Sequence, residues 1–257
     1  MILLRSILFT ILFYLNVVLH LLIAMPAAAV SPQAVIGVAK QWGRVNLWLL
    51  RHVCGLGVEW RGLEKIPPGG LIVASKHQSA WETFALLTIL EDPIFVLKRE
   101  LMWIPVFGWC MRKAGMIPVD RGAGRSALSA MTARVHDALA DGRQIIIFPE
   151  GTRRPAGAPP KYKFGVAFVY ENCAAPCVPI ALNSGLYWPR RRLLRFPGKV
   201  RVEVLDPIPP GLDRRTFFTD LEQTLDASDR LVDESPRLLE QRAIRREPVV
   251  VGDQGNQ

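Results

Sequence analysis

The chain has 257 residues, half of them hydrophobic and 21% charged, with a formal net charge of +9. That composition supports a packed core and excludes an intrinsically disordered chain, and the length suits one large α/β domain with an appendage or two small domains. The basic balance points to nucleic acid, an anionic membrane surface or acidic substrates, without choosing among them. The four cysteines, Cys54, Cys110, Cys173 and Cys177, form no C-x-x-C, and no histidine lies near the 173/177 pair. This argues against a zinc site, so no metal is expected, and against a disulfide framework. Ordinary core cysteines in a reducing compartment are expected instead.

Residues 7–25, "ILFTILFYLNVVLHLLIAM", form an apolar run of the length that crosses a hydrocarbon core as a helix. "AMPAAAV" also offers small residues for leader cleavage, but the run exceeds the usual leader core and only Arg5 flanks it. In the next segment Gln33, Lys40, Arg44 and Arg51 share one side of a helix. Val35, Val38, Trp42, Val45, Leu49 and Val53 share the other. This is the pattern of a basic amphipathic helix lying in a membrane interface; a core-facing surface helix carries it too. Taken together, residues 1–57 read as a membrane anchor of two helices.

From Val58 the pattern becomes alternation. "LIVAS", "PIFVL", "MIPV", "QIIIF", "CVPIAL" and "VRVEVL" read as strands. Helical patterns lie between them over residues 81–90, 102–113, 126–140 and 164–174. The expected fold class is α/β, a mixed, partly parallel sheet flanked by helices, with residues 58–210 as the catalytic domain. "RRPAGAPPKYK" reads as a loop. Residues 211–257 should hold C-terminal helices, over 217–231 and 235–245, and a frayed tail.

Polar clusters follow the strands, where open α/β sheets carry their functional groups. "LIVAS" runs into Lys76-His77, with Glu82 five residues beyond His77. A strand ending near Ser75 and a helix starting near Ser79 bring that imidazole and carboxylate side by side. The carboxylate then fixes the ring tautomer and leaves the other nitrogen free to accept a proton. Such a base contributes about 10² to 10⁴ in rate. No G-x-S-x-G elbow is present, so no protein nucleophile is expected. Arg121, Arg153, Lys161 and Lys163 follow other strands and suit phosphate oxygens; singly, Arg121 or Lys161 reads equally as surface charge. Glu150 ends an apolar run, and burying its carboxylate calls for donors such as Arg153 or a substrate hydroxyl.

These blocks resemble the 1-acylglycerol-3-phosphate (lysophosphatidate) acyltransferase family. "KHQSAWE" is similar to its H-x-x-x-x-D block, "GMIPVDRG" to G-x-I-x-x-x-R, "FPEGTRR" to F-P-E-G-T-R-S and "VPIAL" to V-P-V/I-x, in the family's order between Lys76 and Leu182. "KYKFG" is similar to the family's following basic stretch. The resemblance implies His77 as general base oriented by Glu82, and Arg121 at a glycerol-phosphate position. It also implies Glu150, Gly151, Thr152 and Arg153 in the acceptor site, Lys161 and Lys163 beside them, and Pro179 in an acyl-chain wall. It implies acyl transfer from acyl-CoA or acyl carrier protein to the 2-hydroxyl of a lysophosphatidic acid, without a cofactor, at the cytoplasmic face of a bacterial inner membrane. Two residues depart from the pattern: Glu82 stands for Asp, and Arg154 for a small residue. They leave room for another lysolipid acceptor, such as lyso-ornithine lipid. A non-catalytic lipid-binding protein is disfavoured by the intact His77, Glu82 and Glu150. No nucleic-acid-binding motif is present, so that partner is not expected. "RRRLLR", residues 190–195, suits anionic headgroups, an acidic carrier protein or a solvated loop.

Overall fold

The computed structural model describes residues 1–120, 124–233 and 235. Two long helices come first. Helix α1, Ile2–Val30, and α2, Pro32–Leu49, are separated by Ser31, whose hydroxyl accepts from the Ala34 N–H at 3.0 Å and caps α2. A π-helical turn, Leu50–Cys54, leads into the sheet. Then follow β1 (Leu56–Arg61), β2 (Leu71–Ser75), α3 (Glu82–Ala85), β3 (Pro93–Lys98), α4 (Phe107–Lys113), β4 (Ile117–Val119), α5 (Gly124–Ala140) and β5 (Gln144–Ile147). The chain continues with α6 (Gly165–Cys173), β6 (Cys177–Leu182), α7 (Ser184–Tyr187), β7 (Gly198–Val204), α8 (Arg214–Leu225) and α9 (Ala227–Asp233).

The strands form one seven-stranded sheet in the order β1-β7-β6-β2-β5-β3-β4. Strands β2 to β6 pair in parallel, while β7 runs antiparallel to β6 and carries β1 parallel at the edge. The sheet is therefore mixed, with helices on both faces. Its central strands read as unbroken apolar runs because both faces are covered. Ile72 and Ala74 of β2 face one core with Ile145, Ile147 and α5, α6 and α8. Leu71 and Val73 face the other, built on Trp81, Phe84 and Leu86.

All the expected strands form. Strand β1 was not expected. Its alternation Leu56, Val58, Trp60 against Gly57, Glu59, Arg61 is an edge-strand pattern. The helix expected over 81–90 is only the four residues of α3 and a 3₁₀ turn, Leu86–Thr88. That over 102–113 is interrupted: a 3₁₀ turn, Arg99–Trp103, precedes α4. The expectations for 235–245 and the tail fall outside the described residues, apart from Ser235.

Both anchor helices form, but they differ in what covers them. In α1, Ser6, Phe9, Asn16, Ala24 and Ala28 are buried against the rest of the chain. Leu4, Leu8, Ile11, Leu15, Val18, Leu19 and Leu22 form a bare apolar stripe. α1 is also long and apolar enough to cross a membrane, with mean hydropathy 2.4 over its best window. In α2, Val35, Ile36 and Leu49 are buried and Val38, Trp42 and Val45 pack on the two cores. Lys40 reaches the Leu90 and Glu91 carbonyls at 2.7 and 3.1 Å. The interface-lying α2 is thus corrected. Its apolar stripe is spent on protein contacts, and an apolar stripe serves lipid or protein equally. Of the two helices, α1 is the one with a long bare apolar face.

Candidate active site

Strand β2 sits in mid-sheet with β5 on one side and β6 on the other. The turns after these neighbouring strands therefore meet. Immediately beyond β2, the His77 ring Nδ1 lies 2.9 Å from Glu82 Oε1. The same oxygen accepts from the Gln78 and Ser79 N–H groups at 2.7 Å each, and Oε2 accepts from the Ser184 hydroxyl at 2.8 Å. Glu82 is 0% exposed, and these donors are what permit its burial. Its side chain reaches back from the first turn of α3 onto N–H groups that precede the helix, so the longer carboxylate arm is absorbed by the turn. A carboxylate accepts only, so Nδ1 carries the hydrogen, and in the neutral tautomer this leaves the lone pair on Nε2.

The loop after β5 grips His77 by its backbone. Glu150 Oε2 accepts from the His77 N–H at 2.8 Å, and the His77 carbonyl accepts from the Arg154 N–H at 2.8 Å. The phenyl ring of Phe148 stacks on the imidazole at 4.1 Å between centroids and 14° between planes. Glu150 is 4% exposed. Burial raises its carboxyl above the usual glutamate range, opposed by the His77 N–H and by the charges of Lys76, His77 and Arg154. The donor expected for Glu150 was Arg153 or a substrate hydroxyl; the peptide of His77 takes that place. Gly151, at φ +65°, turns the loop, and a Cβ there would stand 3.1 Å from Lys163 Cε. The Lys163 N–H donates to the Pro149 carbonyl at 2.9 Å, which ties the second basic stretch to the same loop.

His77 opens onto a cavity of about 790 Å³. The walls are Phe13, Leu21 and Ala24 of α1, Val35, Val38 and Trp42 of α2, and apolar side chains of β3, α4 and α5. At the His77 end lie Gly151, Thr152, Arg153, Lys163 and Arg190, so an apolar chamber has a cationic mouth. Arg153 takes no part in holding Glu150; its carbonyl accepts from the Arg190 guanidinium at 2.8 Å.

The structure brings together His77, Glu82, Glu150, Gly151, Thr152, Arg153 and Lys163. Lys161 is exposed and stands outside the cavity lining. Arg121 lies outside the described residues. Pro179 does not reach the cavity: it sits in β6 opposite Ala74, and its carbonyl accepts from the Leu205 N–H at 3.0 Å. Of the run 190–195, Arg190 lines the mouth while Arg195 is buried, its guanidinium 4.4 Å from the Trp188 ring and 5.4 Å from that of Phe9. The last arginine of that run therefore holds α1 rather than facing solvent. Two participants were not anticipated. Ser184 supports Glu82 from just beyond β6, a position that the strand-end rule marks. Phe148 reads only as the last apolar residue of a strand. All four cysteines are free and buried. Among the described residues no cluster of His, Cys, Asp and Glu could hold a metal ion.

An apolar chamber leading to a histidine–carboxylate pair defines an acyl-handling site, and the comparisons agree: the Acyltransferase family model matches residues 57–183. A 1-acyl-sn-glycerol-3-phosphate acyltransferase of Pseudomonas aeruginosa is 37% identical over 83% of this chain and 83% of its own length. The alpha isoform of Mus musculus is 30% identical over 76% of this chain and 70% of its own. The crystal structure of the 1-acyl-sn-glycerophosphate (LPA) acyltransferase PlsC from Thermotoga maritima superposes with a TM-score of 0.76. It covers 91% of this chain and 99% of that one at 22% identity, a likeness of fold. The chain belongs to the 1-acyl-sn-glycerol-3-phosphate acyltransferase family and is an enzyme of that class.

Proposed function

We propose that this enzyme transfers a fatty acyl group from acyl-CoA or acyl carrier protein to the 2-hydroxyl of a 1-acylglycerol-3-phosphate, giving phosphatidic acid. The carrying observation is the 2.9 Å pair of His77 and Glu82 at the cationic mouth of the 790 Å³ chamber. Nε2 of His77 takes the proton from the acceptor hydroxyl as its oxygen attacks the thioester carbonyl. The C–S bond then breaks and the thiolate leaves, so no covalent enzyme intermediate is required. Glu82 stabilises the imidazolium that forms. Arg153 and Lys163, with Arg121, hold the acceptor phosphate and so place its hydroxyl. Apolar walls take up the acyl chain.

The chamber is walled by α1, so it lies at the lipid boundary. α1 has protein on one side from Ser6 to Ala28, which is about 33 Å of helix. A hydrocarbon core is about 30 Å thick. A helix packed along that whole length on a catalytic domain lies in one leaflet rather than crossing the bilayer, its bare stripe turned to lipid. We place it at the cytoplasmic face of a bacterial inner membrane, where acyl thioesters are made. Within residues 1–57 α1 serves as the anchor, 58–210 carry the chemistry, and the C-terminal part begins with α8 and α9, which pack on β6.

The test uses purified protein in mixed micelles, a labelled acyl thioester and a panel of lysolipid acceptors, with products identified by mass. Phosphatidic acid should form from lysophosphatidic acid, and His77→Ala, folded and membrane-bound, should lose at least about 10²-fold in turnover. Near-normal transfer by that variant, or preference for an acceptor without a phosphate, refutes the proposal.

A further inference from the structure

The segment joining β3 to α4 exposes apolar side chains to no benefit of the packed domain. Trp103 is 65% exposed and Ile104 46%, and Leu101 and Val106 are bare as well. The backbone makes them project. Val106 adopts φ +61° and ψ −58°, and the Phe107 N–H donates to the Pro105 carbonyl at 2.6 Å. This is a three-residue turn of a rare and strained kind. Behind it, a Cβ on Gly108 would stand 2.1 Å from the Met102 carbonyl oxygen, so only glycine lets α4 start hard against the 3₁₀ turn.

Cations surround this tip. The Arg99 guanidinium lies 5.6 Å from the Trp103 ring, and the Lys113 ammonium 6.0 Å from the ring of Trp109, itself partly exposed. Arg99 also pairs with Asp120 at 3.0 Å and Lys98 with Glu100 at 2.7 Å, while Arg112 donates to the Met102 carbonyl at 2.9 Å. Tryptophans flanked by lysine and arginine are the composition of a membrane–water boundary.

The patch lies beside the C-terminal half of α1. Ala24 and Ala28 of α1 share one core with Met102, Cys110 and Ala114, so the C-terminal half of α1 packs beside α4. Leu21 and Ala24 from α1, and Leu101, Phe107 and Met111 from the other side, line the same chamber. Val18, Leu19 and Leu22 on α1 and Trp103 and Ile104 beside it are exposed apolar side chains of these two neighbouring segments.

We propose that residues 101–109 form a second membrane-inserting element, seated in an anionic leaflet beside α1, and that an acyl chain enters the chamber laterally between the two. This rests on the reading of α1 as a helix in lipid. Bound there, Ile104 is in the acyl region and Trp103, with the arginine and lysine side chains, at the headgroup boundary.

The experiment labels Ile104→Cys and, separately, Leu15→Cys on α1 with an environment-sensitive dye; the native cysteines are buried. Each full-length protein is mixed with phosphatidylcholine vesicles containing phosphatidylglycerol and nitroxide-labelled acyl chains. Quenching at both sites is expected. Quenching at Leu15→Cys alone overturns this proposal and leaves the α1 reading intact; quenching at neither overturns both. In addition, a Trp103→Ala/Ile104→Ala protein of unchanged melting temperature should partition about tenfold less onto these vesicles. Its KM should rise for a bilayer-embedded acceptor but not for a monomeric short-chain one. Unchanged partitioning overturns the insertion, and equal effects on the two acceptors overturn the lateral portal.

Discussion

Replacing Glu82 by glutamine separates the fold from the chemistry. In the parent, Oε1 accepts from His77 Nδ1 and from the Gln78 and Ser79 N–H groups, and Oε2 from the Ser184 hydroxyl. In Glu82→Gln the carbonyl oxygen keeps the first three donors, and the amide faces Ser184, whose hydroxyl turns to accept. Every buried polar atom keeps a partner, so the melting temperature should move by no more than about 2–4 °C, the equivalent of about 1 kcal/mol at this size. What is lost is the negative charge facing the imidazolium of the transition state. At an effective dielectric of about 20 and a charge separation of about 4 Å, that interaction is worth about 4 kcal/mol. This bounds the loss in kcat/KM at about 10³-fold, and we expect a fall of about 10² to 10³. Glu82→Ala behaves differently: it leaves these donors buried without an acceptor at about 1–3 kcal/mol each, so it should fail to fold or melt far lower. Initial rates in mixed micelles, with thermal melts on the same samples, distinguish the two. Should Glu82→Gln turn over within about threefold of the parent while His77→Ala is inactive, the carboxylate charge has no part in the chemistry and the assignment of Glu82 fails.

Three further expectations follow from the site and its chamber. Glu150→Ala removes the acceptor of the His77 N–H and should cost about 1–3 kcal/mol in stability together with activity. Glu150→Gln keeps that acceptor and removes a charge whose folded pKa burial has raised. A raised pKa contributes stability below the unfolded value and loses it as pH climbs through the folded one. Glu150→Gln should therefore melt at or above the parent at pH 8, with the gap closing toward acid; a deficit that widens from pH 5 to pH 8 contradicts this. Ala39→Phe adds a ring to the α2 wall of the chamber. Each methylene it displaces forfeits about 0.8 kcal/mol, or about fourfold in preference, so competition assays with acyl-CoA mixtures should shift toward shorter chains. An unchanged chain-length profile would place the acyl group elsewhere.

Much of the fold was legible because its strands are fully covered: an apolar run such as "QIIIF" has few places to go in a chain of this composition. The less regular elements were not. β1 was passed over despite its alternation, and α3 is a single turn followed by a 3₁₀ turn, so the helical pattern over 81–90 overstated its regularity. At the site, the His77–Glu82 spacing announced the pair, and the glutamate's extra methylene is taken up by N–H groups of the turn before α3. The sequence carried no sign that Glu150 would hold the peptide of His77. That depends on β5 pairing with β2, a neighbour distant along the chain.

The amino-acid sequence by itself determined the family, the pairing of His77 with Glu82, and the presence of one apolar helix. These rest on local spacing and composition, which act over a few residues. Only the tertiary structure decided that α2 turns its apolar stripe inward and that Pro179 stays in the sheet. It also decided that Ser184 supports Glu82, and that α1, α2, α4 and α5 enclose one chamber. Each is a choice between partners of equal chemistry, made by strand order and by which surfaces remain to be covered.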